Sequence, residues 1–332
     1  MSFLKKLMVT AAFSAAMFVN AAYAENVKIA LVVKSLGNGF FDAANKGAEE
    51  AAKELGDVDI IYTGPTKATA EAQIEVVNSL IAQKVNAIAI SANDADALVP
   101  VLKKAMERGI TVISWDSGVA KEGRQLHLNP SDTGLIGETI IKLAADYLPE
   151  GGEVAILSAS STATNQNAWI ADFNKALTTD PKFSKLKLVD TVYGDDDATK
   201  STNEANGLLQ THPNLKVIVA PTTVGILAAA QVVKQAGSAV KVTGLGLPND
   251  MKSFVADGTT PEFGLWSVPD LGYLAYYVAA KLITGEIKGT PGETFTVPNL
   301  NDGKPYTIGD KSVVILGPPF VFNKDNVNNF NF

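Results

Sequence analysis

Two spacings of apolar residues alternate along this chain. Short runs of consecutive apolar residues read as buried strands: Val27–Val33, Asp59–Tyr62, Ala87–Ile90 and Thr111–Ser114 in the first third. Between them, apolar side chains recur every three or four positions, the period of a helix with one buried face. Phe40–Leu55 places Ala44, Ala48, Ala51 and Leu55 on one face, Ala70–Lys84 aligns Ile74, Val77 and Ile81, and Ala97–Arg108 ends at Gly109, a residue suited to the left-handed cap. The series then restarts. Leu135–Leu148 is helical and leads into the turn Pro149–Gly152. Strands at Val154–Ser158, Leu186–Tyr193, Val217–Ala220 and Val242–Leu245 alternate with helices at Asn167–Thr178, Lys200–Gln210 and Val224–Ala236. Phe263–Trp266 is one more strand and Leu271–Thr284 a helix rich in Tyr and Ala. From Thr290 the chain is rich in Pro, Gly and Asn, with a short apolar strand at Val313–Leu316.

Strictly alternating strands and helices predict parallel sheets covered on both faces. Two series of similar size predict an α/β protein of two similar lobes, with the first boundary near Leu128–Thr133. No low-complexity linker separates them, which fits several chain crossings acting as a hinge.

The start of the chain does not belong to this pattern. Lys5 and Lys6 precede the apolar, Ala-rich run Leu7–Val19, and Ala22-Tyr23-Ala24 is a small-x-small cleavage site. This is the layout of a secretory signal peptide, cleaved after Ala24, and it predicts export to a bacterial periplasm. Of 332 residues, 308 would remain, enough for two modest cores. The signal carries two of the 28 basic residues and none of the 35 acids, so the mature chain has net charge −9. An acidic surface argues against nucleic acid or anionic membrane as a partner. There is no cysteine, which excludes disulfides and thiolate metal sites. The two histidines, His127 and His212, lie far apart. They read as a strand residue and a helix-end cap, and leave little material for a metal site or a Ser-His-Asp triad.

In an open parallel α/β sheet, ligands bind beyond the carboxyl ends of the strands. The residues just past each strand are therefore informative. Lys34 and Gly37-Asn38-Gly39-Phe40-Phe41 come after the first, Ser91 and Asn93 after the third, and Trp115 and Asp116 after the fourth. In the second series come Thr164-Asn165-Gln166 and Trp169, then Pro221-Thr222-Thr223, then Leu247 and Pro248, then Trp266. Carboxylates and amides that hydrogen-bond vicinal hydroxyls, together with flat rings that cover C–H faces, are what a sugar site needs. Each residue also has a plainer reading. Lys34 fits a solvated strand end, one of Phe40 and Phe41 should face the core, Trp169 fits the core, and Thr222 or Thr223 could cap the next helix. Gly37-x-Gly39 and Gly244-x-Gly246 lack the third glycine of a dinucleotide fingerprint. Asp195-Asp196-Asp197 reads as a charged surface turn, since no glutamate closes a calcium loop. No pair of acids stands out as a glycosidase dyad.

With these residues in view, the whole mature chain resembles the type I periplasmic sugar-binding proteins of bacterial ABC importers, within them most closely the rhamnose-binding and autoinducer-2-binding branch. The shared segments are Lys34 before Gly39-Phe40-Phe41, Tyr62-Thr63-Gly64-Pro65-Thr66, Ser114-Trp115-Asp116-Ser117, Asn165-Gln166-Asn167, Ala220-Pro221, Phe263-Gly264-Leu265-Trp266 and Phe322-Asn323-Lys324. The autoinducer-2 receptors' pattern of lysine, aspartate, aspartate-glutamine, proline and alanine falls on Lys34, Asp116, Asn165-Gln166, Pro221 and Thr223. The departures are Asn165 for aspartate and Thr223 for alanine. Losing that carboxylate removes a charge-assisted acceptor, worth roughly 1.5–3 kcal/mol when buried, which favours a sugar. Thr164-Asn165-Gln166-Asn167, Ala220-Pro221-Thr222 and Gly244-Leu245-Gly246-Leu247-Pro248 resemble the corresponding runs of rhamnose-uptake proteins, and this resemblance ranks L-rhamnose first, autoinducer-2 second and another aldose third.

The resemblance implies two Rossmann-like lobes joined by three crossings and a ligand held between them, with closure recognised by a membrane permease. The lobes are expected at 25–128 plus about 262–295, and at 129–261 plus about 296–332. The expected ligand-binding residues are Lys34, Phe41, Asn93 and Asp116 from the first lobe and Asn165, Gln166, Pro221, Thr223, Leu247 and Trp266 from the remainder. No catalysis, cofactor or metal is expected, and the protein should be a monomer. A secreted sugar isomerase would need a metal site or an acid/base dyad. A repressor of the same fold would need an N-terminal DNA-binding unit where the signal peptide stands. A chemotaxis or quorum receptor would carry the same sequence features.

Overall fold

The computed structural model describes residues 27–56 and 58–332; the predicted signal peptide and its expected cleavage site lie outside them. The first series comprises β1 (Val27–Val32), α1 (Gly39–Leu55), β2 (Val58–Thr63), α2 (Ala70–Ala82), β3 (Ala87–Ile90), α3 (Val99–Glu107), β4 (Thr111–Trp115) and β5 (Leu126–Asn129). The second comprises α4 (Thr133–Tyr147), β6 (Gly152–Ser158), α5 (Thr164–Thr179), β7 (Leu186–Tyr193), α6 (Ala198–Thr211), β8 (Leu215–Ala220), α7 (Thr223–Gln235), β9 (Lys241–Gly244) and α8 (Pro248–Asp257). The return consists of β10 (Phe263–Leu265), α9 (Val268–Thr284), β11 (Thr294–Phe295), β12 (Tyr306–Thr307), β13 (Val313–Ile315) and β14 (Phe320–Phe322).

Two parallel sheets result. One runs β13-β5-β4-β3-β1-β2 and the other β7-β6-β8-β9. The alternation of side chains along a strand sorts the apolar runs between two layers. Ile29, Leu31 and Ile113 join the core under α1 and α9, whereas Ala30, Val32, Ile88, Ile90 and Val112 join a separate cluster with residues of α2 and α3. A consecutive apolar run is what a strand buried on both faces requires.

Local chemistry sets the helix starts that matter for the site. Asn38 caps α1, its Oδ1 accepting from Phe40 N at 3.0 Å. Asp132 caps α4 by accepting from Leu135 N at 3.1 Å, which moves its start ahead of the apolar run. α5 begins at Thr164, three residues before its predicted start, so Asn165 and Gln166 stand in a rigid first turn. α8, which the apolar spacing does not reveal, opens with Pro248 at its first position and ends at left-handed Gly258.

The return differs from expectation. β10 pairs antiparallel with β14 and bridges Leu245 through Gly264, so residues 263–265 stay with the second lobe. Residues 296–316, expected in the second lobe, contain β13, which pairs in parallel with β5 and extends the first sheet. The short apolar strand read at Val313–Leu316 is present, but its partner is nearly two hundred residues earlier in the chain, and nothing in the Pro- and Gly-rich tail points to it. The chain thus passes between the lobes after β5, after β10 and after β13.

Candidate functional site

The carboxyl ends of both sheets meet at a narrow cavity of about 40 Å³. Its lining contains Lys34, Asn38, Phe40, Phe41 and Asp116 from the first lobe, and Asn165, Gln166, Trp169, Asp196, Pro221, Thr222, Thr223, Leu245, Leu265 and Trp266 from the second lobe and its crossing. Beyond Asn38 and Asp196 it adjoins an outer vestibule of about 820 Å³.

Asp116 is central. It comes directly after β4, is 5% exposed, and has φ of 57°, a left-handed conformation costly for a residue other than glycine. Its Oδ2 accepts from Ser91 Oγ at 2.7 Å and its Oδ1 from Asn165 Nδ2 at 3.0 Å, while Lys34 Nζ stands 4.0 Å from Oδ2. Burial pushes the Asp116 carboxyl above its ordinary range, with the Asp196 charge adding to the effect; the Lys34 charge and the Ser91 and Asn165 hydrogen bonds oppose it.

Asn165 links Lys34 to Asp116 across the cleft. Its Oδ1 accepts from Lys34 Nζ at 3.2 Å and from Gln166 N at 2.9 Å. A lysine only donates and a carboxylate only accepts, so these partners fix the amide's orientation. Gln166 is held just as firmly, its Oε1 accepting from Ser158 Oγ at 2.7 Å and Ala159 N at 2.8 Å.

The apolar wall is a continuous run of edge-to-face rings. Trp115 meets Phe41 at 5.8 Å, Phe41 meets Phe40 at 5.2 Å, Phe40 meets Trp266 at 6.1 Å and Trp266 meets Trp169 at 5.8 Å. The Trp266 indole N–H is buried with no hydrogen-bond partner among the described residues. An orphaned donor of this kind costs about 1–3 kcal/mol unless a polar group meets it.

This arrangement of two α/β lobes, with charged, amide and aromatic side chains converging at their strand ends, is what a hinged solute receptor presents. A family model described as periplasmic binding protein domain matches residues 29–287. The chain belongs to the periplasmic binding protein family. The D-ribose/D-allose-binding protein of Pseudomonas aeruginosa is 30% identical to it over 301 residues, covering 84% of this chain and 92% of that protein. A solved ABC transporter solute binding protein from Clostridium phytofermentas with bound L-rhamnose superposes with a TM-score of 0.88 at 39% identity, covering 92% of this chain and 98% of that one. LsrB from Clostridium saccharobutylicum in complex with AI-2 superposes at 0.86 with 27% identity, covering 92% and 100%. The first two of these relatives are by name a sugar-binding protein and a transporter's solute binding protein, and family membership carries a periplasmic location.

For this periplasmic binding protein, the fold brings Lys34, Phe41, Asp116, Asn165, Gln166, Pro221, Thr223 and Trp266 together at the cavity. Asn93 and Leu247 are elsewhere. Asn93 Nδ2 donates to Lys34 O at 2.9 Å and Thr69 O at 3.3 Å, and its backbone N–H donates to Gln73 Oε1 at 2.8 Å; it ties down the loop that carries Lys34. Leu247 lies at the start of α8 and packs over Gly39, where its Cδ1 would be 3.2 Å from an added Cβ. Both Phe40 and Phe41 line the cavity while remaining buried, and Trp169 does the same, so core and site are not alternatives here.

Asp196 is hidden in a run that reads as a surface turn. Its neighbours do serve the surface: Asp195 pairs with Lys200 at 2.5 Å, and Asp197 caps α6 by accepting from Lys200 N at 2.7 Å. Asp196 itself, at φ of 52°, accepts from the Thr222 hydroxyl and lines the cavity. The strand-end rule, applied after β7, points to this position.

His127 occupies the back of the cleft, beside a groove that includes Asp116, Arg124 and Asn165. Its Nδ1 lies 2.8 Å from Ser114 Oγ and its Nε2 2.8 Å from Asn129 Oδ1. Burial, reinforced by the Arg124 charge, lowers its pKa to about 4. The neutral ring therefore donates from Nε2 to the acceptor Asn129 and accepts at Nδ1 from Ser114. Among the described residues, no group of three or more His, Cys, Asp or Glu is arranged to hold a metal.

Proposed function

We propose that this protein is the solute-binding component of an ABC importer for a neutral monosaccharide, with L-rhamnose as the ligand. The observation that carries the reading is the Lys34–Asn165–Asp116 bridge across the cleft, flanked by the Phe40–Trp266–Trp169 rings. A hydroxyl both donates and accepts, as the Asn165 amide does. Ligand hydroxyls can thus join or replace it between an ammonium that donates and a carboxylate that accepts. The rings would cover the C–H face and the C6 methyl of a deoxy sugar. The likeness to the L-rhamnose-bound protein supports this choice.

In this reading Lys34, Phe41, Asp116, Asn165, Gln166, Pro221, Thr223 and Trp266 contact the ligand, Asp116 accepts hydroxyl hydrogen bonds and Lys34 donates. The lobes close by a hinge at the three crossings. Closure presents a joint surface to an inner-membrane permease, and a separate ATPase subunit drives transport. The receptor acts as a monomer, released after removal of residues 1–24. An autoinducer-2 receptor is the second reading, supported by the likeness to the AI-2 complex. Against it stands Asn165. An aspartate there would set a second carboxylate against buried Asp116, where the amide now donates at 3.0 Å.

The site is tested by Asp116→Ala. L-rhamnose binding measured by calorimetry should disappear while the far-ultraviolet circular dichroism spectrum is retained; undiminished binding would mean that the ligand sits elsewhere. Asn165→Asp should move preference toward autoinducer-2, and an unchanged preference would remove Asn165 as the selector.

A further inference from the structure

The charged residues lining the inner cavity are Lys34, Asp116 and Asp196, a net charge of −1. Asp116 belongs to the first lobe and Asp196 to the second, and they are close enough that the Asp196 charge adds to what holds the Asp116 carboxyl above its ordinary range. The carboxylate of Asp196 has one hydrogen-bond donor among the described residues, the hydroxyl of Thr222, itself buried at the start of α7. Its second oxygen has no donor among them. The same cavity wall holds the orphaned indole N–H of Trp266. A free acceptor therefore stands where the cavity opens to the vestibule, with the Trp266 ring in the lining of the inner cavity alone.

We propose that Asp196 is a ligand-contacting carboxylate that sets specificity from the second lobe, requiring a hydroxyl donor on the ligand edge facing the cleft mouth. Asp116 makes the matching demand from the first lobe. The pair selects ligands with hydroxyl donors on two opposite edges, and the net negative lining rejects sugar acids. The left-handed backbone at Asp196 and its Thr222 bond hold the carboxylate inward, while Asp195 and Asp197 are occupied by Lys200 and the α6 terminus. This inference rests on the reading of the cavity as a neutral-sugar site.

The test is calorimetric titration of the wild type, Asp196→Asn and Asp195→Asn with L-rhamnose and with D-galacturonate. Asp196→Asn keeps the shape and the acceptor for Thr222 but removes the charge. It should weaken L-rhamnose binding by about 10–100-fold, the loss of one charge-assisted hydrogen bond, and Asp195→Asn should match the wild type. Wild-type protein should show no D-galacturonate binding. Asp196→Asn binding L-rhamnose within about twofold of wild type, or wild type binding the uronate as tightly as the neutral sugar, would overturn the role of Asp196. Asp196→Ser gives the same reading if the amide variant folds poorly. A wild type that binds no neutral sugar would instead overturn the proposed function, so the two failures are distinguishable.

Discussion

At the residue scale, the cleft concentrates groups that are poor choices for stability and good ones for binding. Asp116 is buried, left-handed and charged beside Lys34, and Trp266 carries an unmet donor. His127 is a different case, because its hydrogen bonds are complete in the neutral form. Its folded pKa of about 4 is below the ordinary 6.5. The unfolded chain therefore binds more protons between these values, and the stability His127 provides above pH 6.5 is lost as the pH falls toward 4. The full difference is of order 3 kcal/mol. His127→Gln should flatten the fall in melting temperature across that window, measured by differential scanning calorimetry; an unchanged slope would mean that another group carries it. Most cavity residues are legible in the sequence because they come just after predicted strands: Lys34, Asp116, Asn165, Gln166 and Pro221 all do. Asn93 and Leu247 lie past strands too, but a side chain's direction depends on partners that spacing does not reveal. Asn93 is drawn to the backbone of Lys34 and Thr69, and Leu247 to Gly39. Asp196 stays hidden because three consecutive acids have a solvated reading, and what sets the middle one apart is its bond to Thr222, a partner supplied by another strand end.

At the scale of elements, the contact between α1 and α9 fixes the position of the Phe40–Phe41 turn. The two helices approach through glycines. A Cβ on Gly47 would lie 1.9 Å from Pro269 O, and one on Gly272 would lie 1.9 Å from Ala44 O. Neither backbone oxygen can yield without moving a helix that leads into the cavity. Gly272→Val should therefore destabilise by about 1–3 kcal/mol, the usual range for overpacking, and lower ligand affinity as α1 shifts. Chemical denaturation and titration of the same variant check this; wild-type stability would show that the helices can part freely. The repeated strand–helix series is legible because each segment carries its own period. β13 and β14 are harder, since they are short and their partners, β5 and β10, are remote in sequence. A three-residue strand has too little pattern to announce which sheet it joins, so apolar spacing offers nothing to correct the expected division of the return.

At the scale of the whole molecule, the cavity between the lobes is smaller than ligand pockets of roughly 300 Å³ and above. Admitting a pyranose ring requires the lobes to separate and the Lys34–Asn165–Asp116 bridge to open. Small-angle scattering of ligand-stripped protein should give a radius of gyration that falls on adding L-rhamnose; an unchanged radius would argue against hinge closure. The most direct test of the central claim is calorimetric titration of the mature protein, unfolded and refolded to strip carried-over ligand, with L-rhamnose and autoinducer-2 in parallel. Saturable L-rhamnose binding at one site per chain, with autoinducer-2 silent or far weaker, is the predicted result. Binding of autoinducer-2 alone would contradict it and move the protein from sugar import to signal uptake.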